Sequence, residues 1–236
     1  MGWEECVPTE LSVKRQDYYE SDRRDFLDWV GGRFERVLDV GCGAGANVDW
    51  YRAHGAVHVT GIEIDPDSAS AAERILDRVI CGSVEDALER GDVGGPFDLI
   101  VCADVLEHLL DPWSVLAQLR QLATDRTVLA MSVPNIRYLR ALARIAVGRG
   151  FEYEERGTFD ATHLRFFVPD NVAAMARKSG WHPTRMGAPS SGRLGSVRRV
   201  AHRVTLGWSD QWLGLQTYVR AVPDPARSAR PTVPPP

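Results

Sequence analysis

The sequence predicts a doubly wound α/β domain built on a seven-stranded, mostly parallel sheet. Residues 36–45, Arg-Val-Leu-Asp-Val-Gly-Cys-Gly-Ala-Gly, carry an apolar strand into a glycine loop and on into a helix. Val37, Leu38 and Val40 suit a strand covered on both faces, as in a parallel sheet. A second apolar segment, Ala56 to Ile62, ends in an acid, Glu63. Beyond it, short apolar runs alternate with helical patterns, the order that strand–helix–strand units produce.

The bulk properties agree. A chain of 236 residues makes one decorated α/β domain, or at most two small domains. A net charge of −4 with interspersed signs gives no general attraction to nucleic acid. No apolar run is long enough to span a bilayer, and Met1-Gly2-Trp3-Glu4-Glu5 lacks a signal-peptide core. Four scattered cysteines, Cys6, Cys42, Cys81 and Cys102, form no Cys-x-x-Cys pair. They read as reduced thiols, which points to a cytoplasmic protein.

Taken in order, residues 1–32 form a lead-in. Tyr18, Tyr19, Phe26, Trp29 and Val30 recur at helical spacing over 9–32. That helix covers one face of the sheet, and Tyr18 or Tyr19 can also close over a ligand. After the strand at 36–40, Gly41, Gly43 and Gly45 permit positive φ and close approach of a ligand to the backbone. The helix at roughly 46–54 presents N–H groups and partial positive charge at its start, and Gly55 ends it. His54 and His58 straddle a helix end and a strand, so they are structural or exposed rather than a metal pair. Asp65 caps the next helix with Pro66 in its first position, and the helix runs to Leu76.

Arg78 to Cys81 is a third strand leading into Gly82-Ser83-Val84. Gly91 to Pro96 is a turn, Phe97 to Cys102 a fourth strand, and Ala103-Asp104 its end. Asp111-Pro112 opens a helix with Trp113, Leu116, Leu119 and Leu122 as its apolar face. Val128 to Val133 is the fifth strand. Residues 136–150 read as a basic amphipathic helix with Arg137, Arg140, Arg144 and Arg149, and 151–163 as an irregular loop. Those arginines are either a solvated face or a hold for a phosphate or carboxylate. A helix at Pro169 to Ser179 precedes strands at 181–187 and 213–221. Between these, 188–210 is rich in Ser, Gly and Arg, and Arg193, Arg198, Arg199, His202 and Arg203 suit a basic helix or a mobile lid. Residues 223–236 form a proline-rich tail expected to be disordered.

The loop spacing is Gly-x-Gly-x-Gly, not the Gly-x-Gly-x-x-Gly of dinucleotide folds. Asp39 stands before it, where a carboxylate suits a cationic ligand, and Glu63 is placed to take both hydroxyls of a ribose. Val-Leu-Asp-Val-Gly-Cys-Gly-Ala-Gly, Gly-Ile-Glu-Ile-Asp-Pro and Phe-Asp-Leu-Ile-Val-Cys-Ala-Asp-Val-Leu-Glu-His, in this order, resemble the class I S-adenosylmethionine-dependent methyltransferases over about residues 33–190. The resemblance implies a Rossmann-like methyltransferase domain over 33–222, with substrate-shaping insertions at 136–163 and 188–210 and the last strand antiparallel at the sheet's far end. It implies S-adenosylmethionine as cofactor. Asp39 and the backbone of Gly41, Cys42 and Gly43 hold its methionine end, helped by Ala103. Glu63 holds the ribose and Ile64 walls the purine. Ser83 stands where the family has an Asp that accepts from adenine, so it and the Val84 backbone are candidates for that edge.

Asp104, Glu107 and His108 fall at i, i+3 and i+4, on one face if the segment is helical, and His163 comes much later. This arrangement resembles ubiquinone-biosynthesis O-methyltransferases and small-RNA 2′-O-methyltransferases, whose Glu-x-x-Glu-His and later His hold a divalent ion. Asp104 is one carbon shorter than the first Glu of that pattern. The resemblance implies a divalent metal, Mg or Mn, on Asp104, Glu107, His108 and His163; by ligand type, Mn, Fe, Co or Zn suit two imidazoles better than Mg. Without a metal, His108 or His163 serves as base or acceptor contact together with Glu107, or the residues only anchor the helix start and line the pocket. Phe166 and Phe167 are expected in the core and Arg165 beside Asp160. The reaction expected is methylation of a hydroxyl on a sugar, glycan or other small secondary metabolite, by a monomer or homodimer that takes neither nucleic acid nor membrane as partner. The Thr-His-Leu-Arg-Phe-Phe run resembles that of bacterial methyltransferases found with glycan-modifying enzymes. N-methylation of an amine and a non-catalytic methyltransferase-like subunit are the alternatives.

Overall fold

The computed structural model describes residues 23–147, 151–155, 157–188, 204–205 and 209–225. Expectations for Tyr18, Tyr19, Cys6, Arg149, the run Arg193 to Arg203 and the tail from 226 lie outside these residues. The first described helix, α1 (Arg24–Val30), buries Phe26, Leu27 and Val30. Five parallel strands follow: β1 (Arg36–Val40), β2 (His58–Glu63), β3 (Arg78–Cys81), β4 (Phe97–Ala103) and β5 (Ala123–Pro134). Between them lie α2 (Val48–Ala53), α3 (Pro66–Ala72), α4 (Val84–Arg90) and α5 (Pro112–Leu119). After β5 come α6 (Leu139–Ala146), α7 (Pro169–Lys178), β6 (Trp181–Gly187), the single turn α8 (Asp210–Leu213) and β7 (Gln216–Pro223).

The sheet order is β3-β2-β1-β4-β5-β7-β6. β7 runs antiparallel to both β5 and β6. The last strand therefore has the expected direction but sits one place in from the edge, which β6 occupies. It also starts three residues later than predicted, because 210–213 coil into α8.

Strand geometry sends alternate side chains to opposite faces, and both faces are apolar here. Val37, Val59, Leu99, Val101 and Tyr218 pack with Phe26, Leu27, Trp50, Tyr51 and Ala72, so α1, α2 and α3 cover one face. Leu38, Val40, Ile62, Ile100, Leu129 and Val219 pack with Ala87, Leu116, Leu119, Met175 and Ala176, so α4, α5 and α7 cover the other. Trp181 is fully buried, and its indole N–H donates to Leu116 O at 2.9 Å.

Two helix starts match the sequence, with the Asp65 and Asp111 side chains each accepting a backbone N–H from three residues on; Ser83 caps α4 in the same way, a helix that the sequence analysis did not place. Two expectations of burial fail. Trp113 is 38 % exposed, because the inward stripe of α5 is Pro112, Val115, Leu116 and Leu119. Phe167 is buried while Phe166 is 38 % exposed, since neighbours in an extended segment point opposite ways. Among the described residues, Cys42, Cys81 and Cys102 are free thiols, and no helix is long and apolar enough to cross a membrane.

Candidate active site

The carboxyl ends of β1, β2 and β4 meet where the strand order reverses direction, the place where open α/β sheets leave a crevice. A cavity of about 880 Å³ opens there, large enough for a nucleoside-sized ligand and an acceptor together. The loop after β1 forms its floor. Gly41, Gly43 and Gly45 have φ of +70°, +54° and +83°, and the Gly41 N–H donates to Ile62 O at 2.8 Å. A Cβ on Gly41 would lie 2.6 Å from Val105, so only glycine lets the loop pass under the turn after β4.

Glu63 is 3 % exposed at the end of β2 and lines the cavity. Its Oε2 accepts from the Gly43 N–H and its Oε1 from the Asp65 N–H, both at 2.8 Å. The carboxylate thus braces the glycine loop while each oxygen keeps a further lone pair for a ligand hydroxyl. Burial raises its pKa, partly offset by the N–H groups of Asp65 and Gly43. Cys42, Gly43, Ile64, Ser83, Val84 and Ala103 also line the cavity. Ile64 is 66 % exposed and presents an apolar wall. The Ser83 hydroxyl accepts from the Asp86 N–H at 3.1 Å as the cap of α4, which commits one of its lone pairs.

Asp39 is corrected. It does not line the cavity: alternation along β1 puts its side chain on the same face as Val37, under α2. There it is 2 % exposed and accepts from the Tyr51 hydroxyl at 2.8 Å. Burial pushes its pKa up to about 7; the hydrogen bonds from Tyr51 and Asn47 hold it down, and the Glu63 charge pushes it further up.

Asp104 is also corrected. Its φ of +55° turns it away from a helical path, and its carboxylate accepts from Ser132 Oγ at 2.8 Å and from Gln216 Nε2 at 3.0 Å. It pairs as well with Arg23, whose backbone N–H reaches Asn47 Oδ1 at 3.1 Å. Arg23, Asn47 and Asp104 all line the cavity. Arg23 and Asn47 were invisible in the sequence, because their roles depend on α1 folding back over the loop.

The other three residues of the set do converge. Leu106–His108 form one 3₁₀ turn. One ligand atom from each of Glu107, His108 and His163 lies within 4.8 Å of the others, and the His163 Nε2 to Glu107 Oε1 distance is 4.0 Å. The chain from 162 to 165 is stapled onto that turn: Leu164 N and Arg165 N both donate to Glu107 O, at 2.9 and 3.0 Å. Arg165 donates to Leu110 O rather than pairing with Asp160. The His108 and His163 rings meet edge to face, with centroids 4.8 Å apart. His108 lines the cavity, while Glu107 (1 % exposed) and His163 (8 %) lie behind it.

A family model described as a methyltransferase domain matches residues 13–185. The chain is 31 % identical over 167 residues to the ubiquinone biosynthesis O-methyltransferase of Aromatoleum aromaticum, covering 65 % of this chain and 68 % of that one. To the same-named protein of Chromobacterium violaceum it is 32 % identical over 169 residues, covering 67 % and 69 %. A solved S-adenosylmethionine-dependent methyltransferase from Archaeoglobus fulgidus superposes with a TM-score of 0.60 at 17 % identity, over 94 % of this chain and 100 % of that one. The plantazolicin methyltransferase, solved with S-adenosylhomocysteine, gives 0.55 at 15 % identity, over 91 % and 86 %. At these identities the solved structures show a shared fold.

Proposed function

The chain belongs to the class I S-adenosylmethionine-dependent methyltransferases, and on that premise we propose that it methylates a hydroxyl of a small acceptor, a sugar, glycan or other small metabolite. The observation that carries this is His108 on the cavity wall, backed by Glu107 and His163. The names of the relatives, O-methyltransferases, support the same chemistry.

Glu63 would hold the cofactor's ribose, the backbone of Gly41, Cys42, Gly43 and Ala103 its methionine end, and Ile64, Ser83 and Val84 its purine; all of them line the cavity. The sulfonium is already activated, so the protein's task is alignment and exclusion of water. The bound cofactor would supply the methyl group by in-line displacement, the acceptor oxygen bonding to the methyl carbon as the carbon–sulfur bond breaks with its electrons passing to sulfur. The acceptor's proton goes to His108 Nε2.

Two imidazoles and one carboxylate, with donor atoms this close together, fit a divalent ion of the Mn, Fe, Co or Zn type. Glu107, His108 and His163 would hold it without Asp104, whose carboxylate is already held by Ser132, Gln216 and Arg23. Bound there, such an ion would take up the His108 Nε2 lone pair, so the ion in place of the imidazole would lower the pKa of an acceptor hydroxyl and orient it.

The test is transfer of labelled methyl to a panel of polyhydroxylated small molecules and amines. His108→Ala should lower transfer to hydroxyls by roughly 10²–10⁴-fold, the span of lost general-base catalysis. Treatment with a chelator shows whether the metal takes part. Equal rates on an amine for wild type and His108→Ala, with no transfer to any hydroxyl, would replace this reading by N-methylation.

A further inference from the structure

Thr162 sits on the cavity wall beside His108. Its hydroxyl donates to Asp160 Oδ1 at 2.6 Å, and the same oxygen accepts the Thr162 N–H at 2.8 Å. His108 Nδ1 lies 3.0 Å from Thr162 O and 3.1 Å from Thr162 Oγ1. A carboxylate oxygen can only accept, so the one hydroxyl proton of Thr162 is committed to Asp160. Toward His108, the hydroxyl then offers a lone pair. The carbonyl offers only lone pairs as well. Facing two acceptors, Nδ1 carries the proton of the neutral ring, which leaves the lone pair of that form on Nε2.

We propose that Asp160 and Thr162 are positioning residues that fix the tautomer of His108. Asp160 never touches the acceptor. It acts by setting the direction of the Thr162 hydroxyl, which in turn sets which imidazole nitrogen can receive a proton. Without the Asp160 carboxylate the hydroxyl can rotate and donate to Nδ1, stabilising the opposite tautomer, whose Nε2 already holds a proton and cannot take another. The buried position of Asp160, 1 % exposed, keeps water from substituting for it. The 157–165 segment thus supplies His163, staples itself to the Glu107 carbonyl and orients His108. This rests on the reading of His108 as proton acceptor, but the tautomer is measured with no acceptor present, so the two can fail separately.

The experiment is long-range ¹H–¹⁵N correlation of the histidine rings in chelator-treated protein saturated with S-adenosylhomocysteine, at a pH above the imidazole range. His108→Gln assigns the His108 peaks. Wild type should show His108 as the Nδ1–H tautomer. Asp160→Ala should move the two His108 nitrogen resonances toward each other as the Nε2–H form gains population, with the other rings unmoved. Asp160→Asn, whose amide oxygen still accepts, should keep the wild-type pattern. The double variant Asp160→Ala/Thr162→Val should return to Nδ1–H, because the hydroxyl that flips the ring is gone and the carbonyl remains. A merely structural role for Asp160 would not give that reversal. An Nε2–H tautomer in the wild type overturns the proposal without any variant. So does an unchanged His108 in folded Asp160→Ala, or a double variant that stays shifted.

Discussion

Asp39 is a buried carboxylate beside the glycine loop that does not enter the cavity. Its side chain is sealed between β1 and α2, with the Tyr51 hydroxyl donating to it and its pKa raised to about 7. The folded state therefore holds this proton more tightly than the unfolded chain, whose carboxyl titrates near 3.8. The associated stability is fully present below 3.8 and is lost as pH rises through about 7, by on the order of 4 kcal/mol. Asp39→Asn removes the titration while its amide oxygen still accepts from Tyr51. The melting temperature of the variant should then rise relative to wild type across that window and stay level above it. Parallel curves at every pH would mean that Asp39 is ionised throughout at no cost. The sequence placed this carboxylate beside the loop but could not orient it, because the face to which Asp39 points depends on where α2 crosses the sheet.

The element that most constrains the site is the β1–loop–α2 unit, and its tightest contact lies on the neighbouring strand. Gly61, in β2, has ordinary backbone geometry, but a Cβ there would meet Cys42 Sγ at 2.5 Å and Leu76 Cδ1 at 2.7 Å. Gly61→Ala should lower stability by about 1–3 kcal/mol through overpacking. It should also weaken S-adenosylhomocysteine binding, because Cys42 belongs to the cavity floor and cannot retreat without moving the loop. Gly91→Ala is the control: nothing lies within 4 Å of its Cβ, its φ is +70°, and it sits at the end of α4. It should cost about 1–2 kcal/mol of backbone strain with ligand affinity unchanged. Urea denaturation and calorimetric titration of both variants separate the two effects, and equal affinity in Gly61→Ala would show that the loop is not tensioned from behind. Glycine loop, strand ends and helix caps were legible because they are local in sequence. The contacts of Gly61, the turn of Asp104 and the stapling of 162–165 to Glu107 span long separations, which periodicity does not encode.

At the scale of the whole molecule, the alternation of apolar strands and helices was enough to specify seven strands and two covered faces. It did not specify that β7 inserts between β5 and β6, a consequence of antiparallel pairing on both sides. The cavity lies on the seam of this architecture, drawing walls from β1, β2, β4, the starts of α4 and α5 and the 162 loop. A ligand that bridges these walls should stabilise the fold as a unit. At a hundred times its dissociation constant, S-adenosylhomocysteine contributes about 2.7 kcal/mol, which for a chain of this size is roughly 5–10 °C in melting temperature. Glu63→Gln is the informative variant. One of its carboxylate bonds, to Gly43 N or Asp65 N, must be lost, because an amide has a single acceptor oxygen. Its own ligand-free melting temperature becomes the reference. If the carboxylate both braces the loop and holds the ribose, adding S-adenosylhomocysteine at the wild-type saturating concentration should shift the variant by less than about a third of the wild-type increment. An undiminished shift would leave Glu63 as a brace alone, and would move the ribose contact elsewhere on the cavity wall.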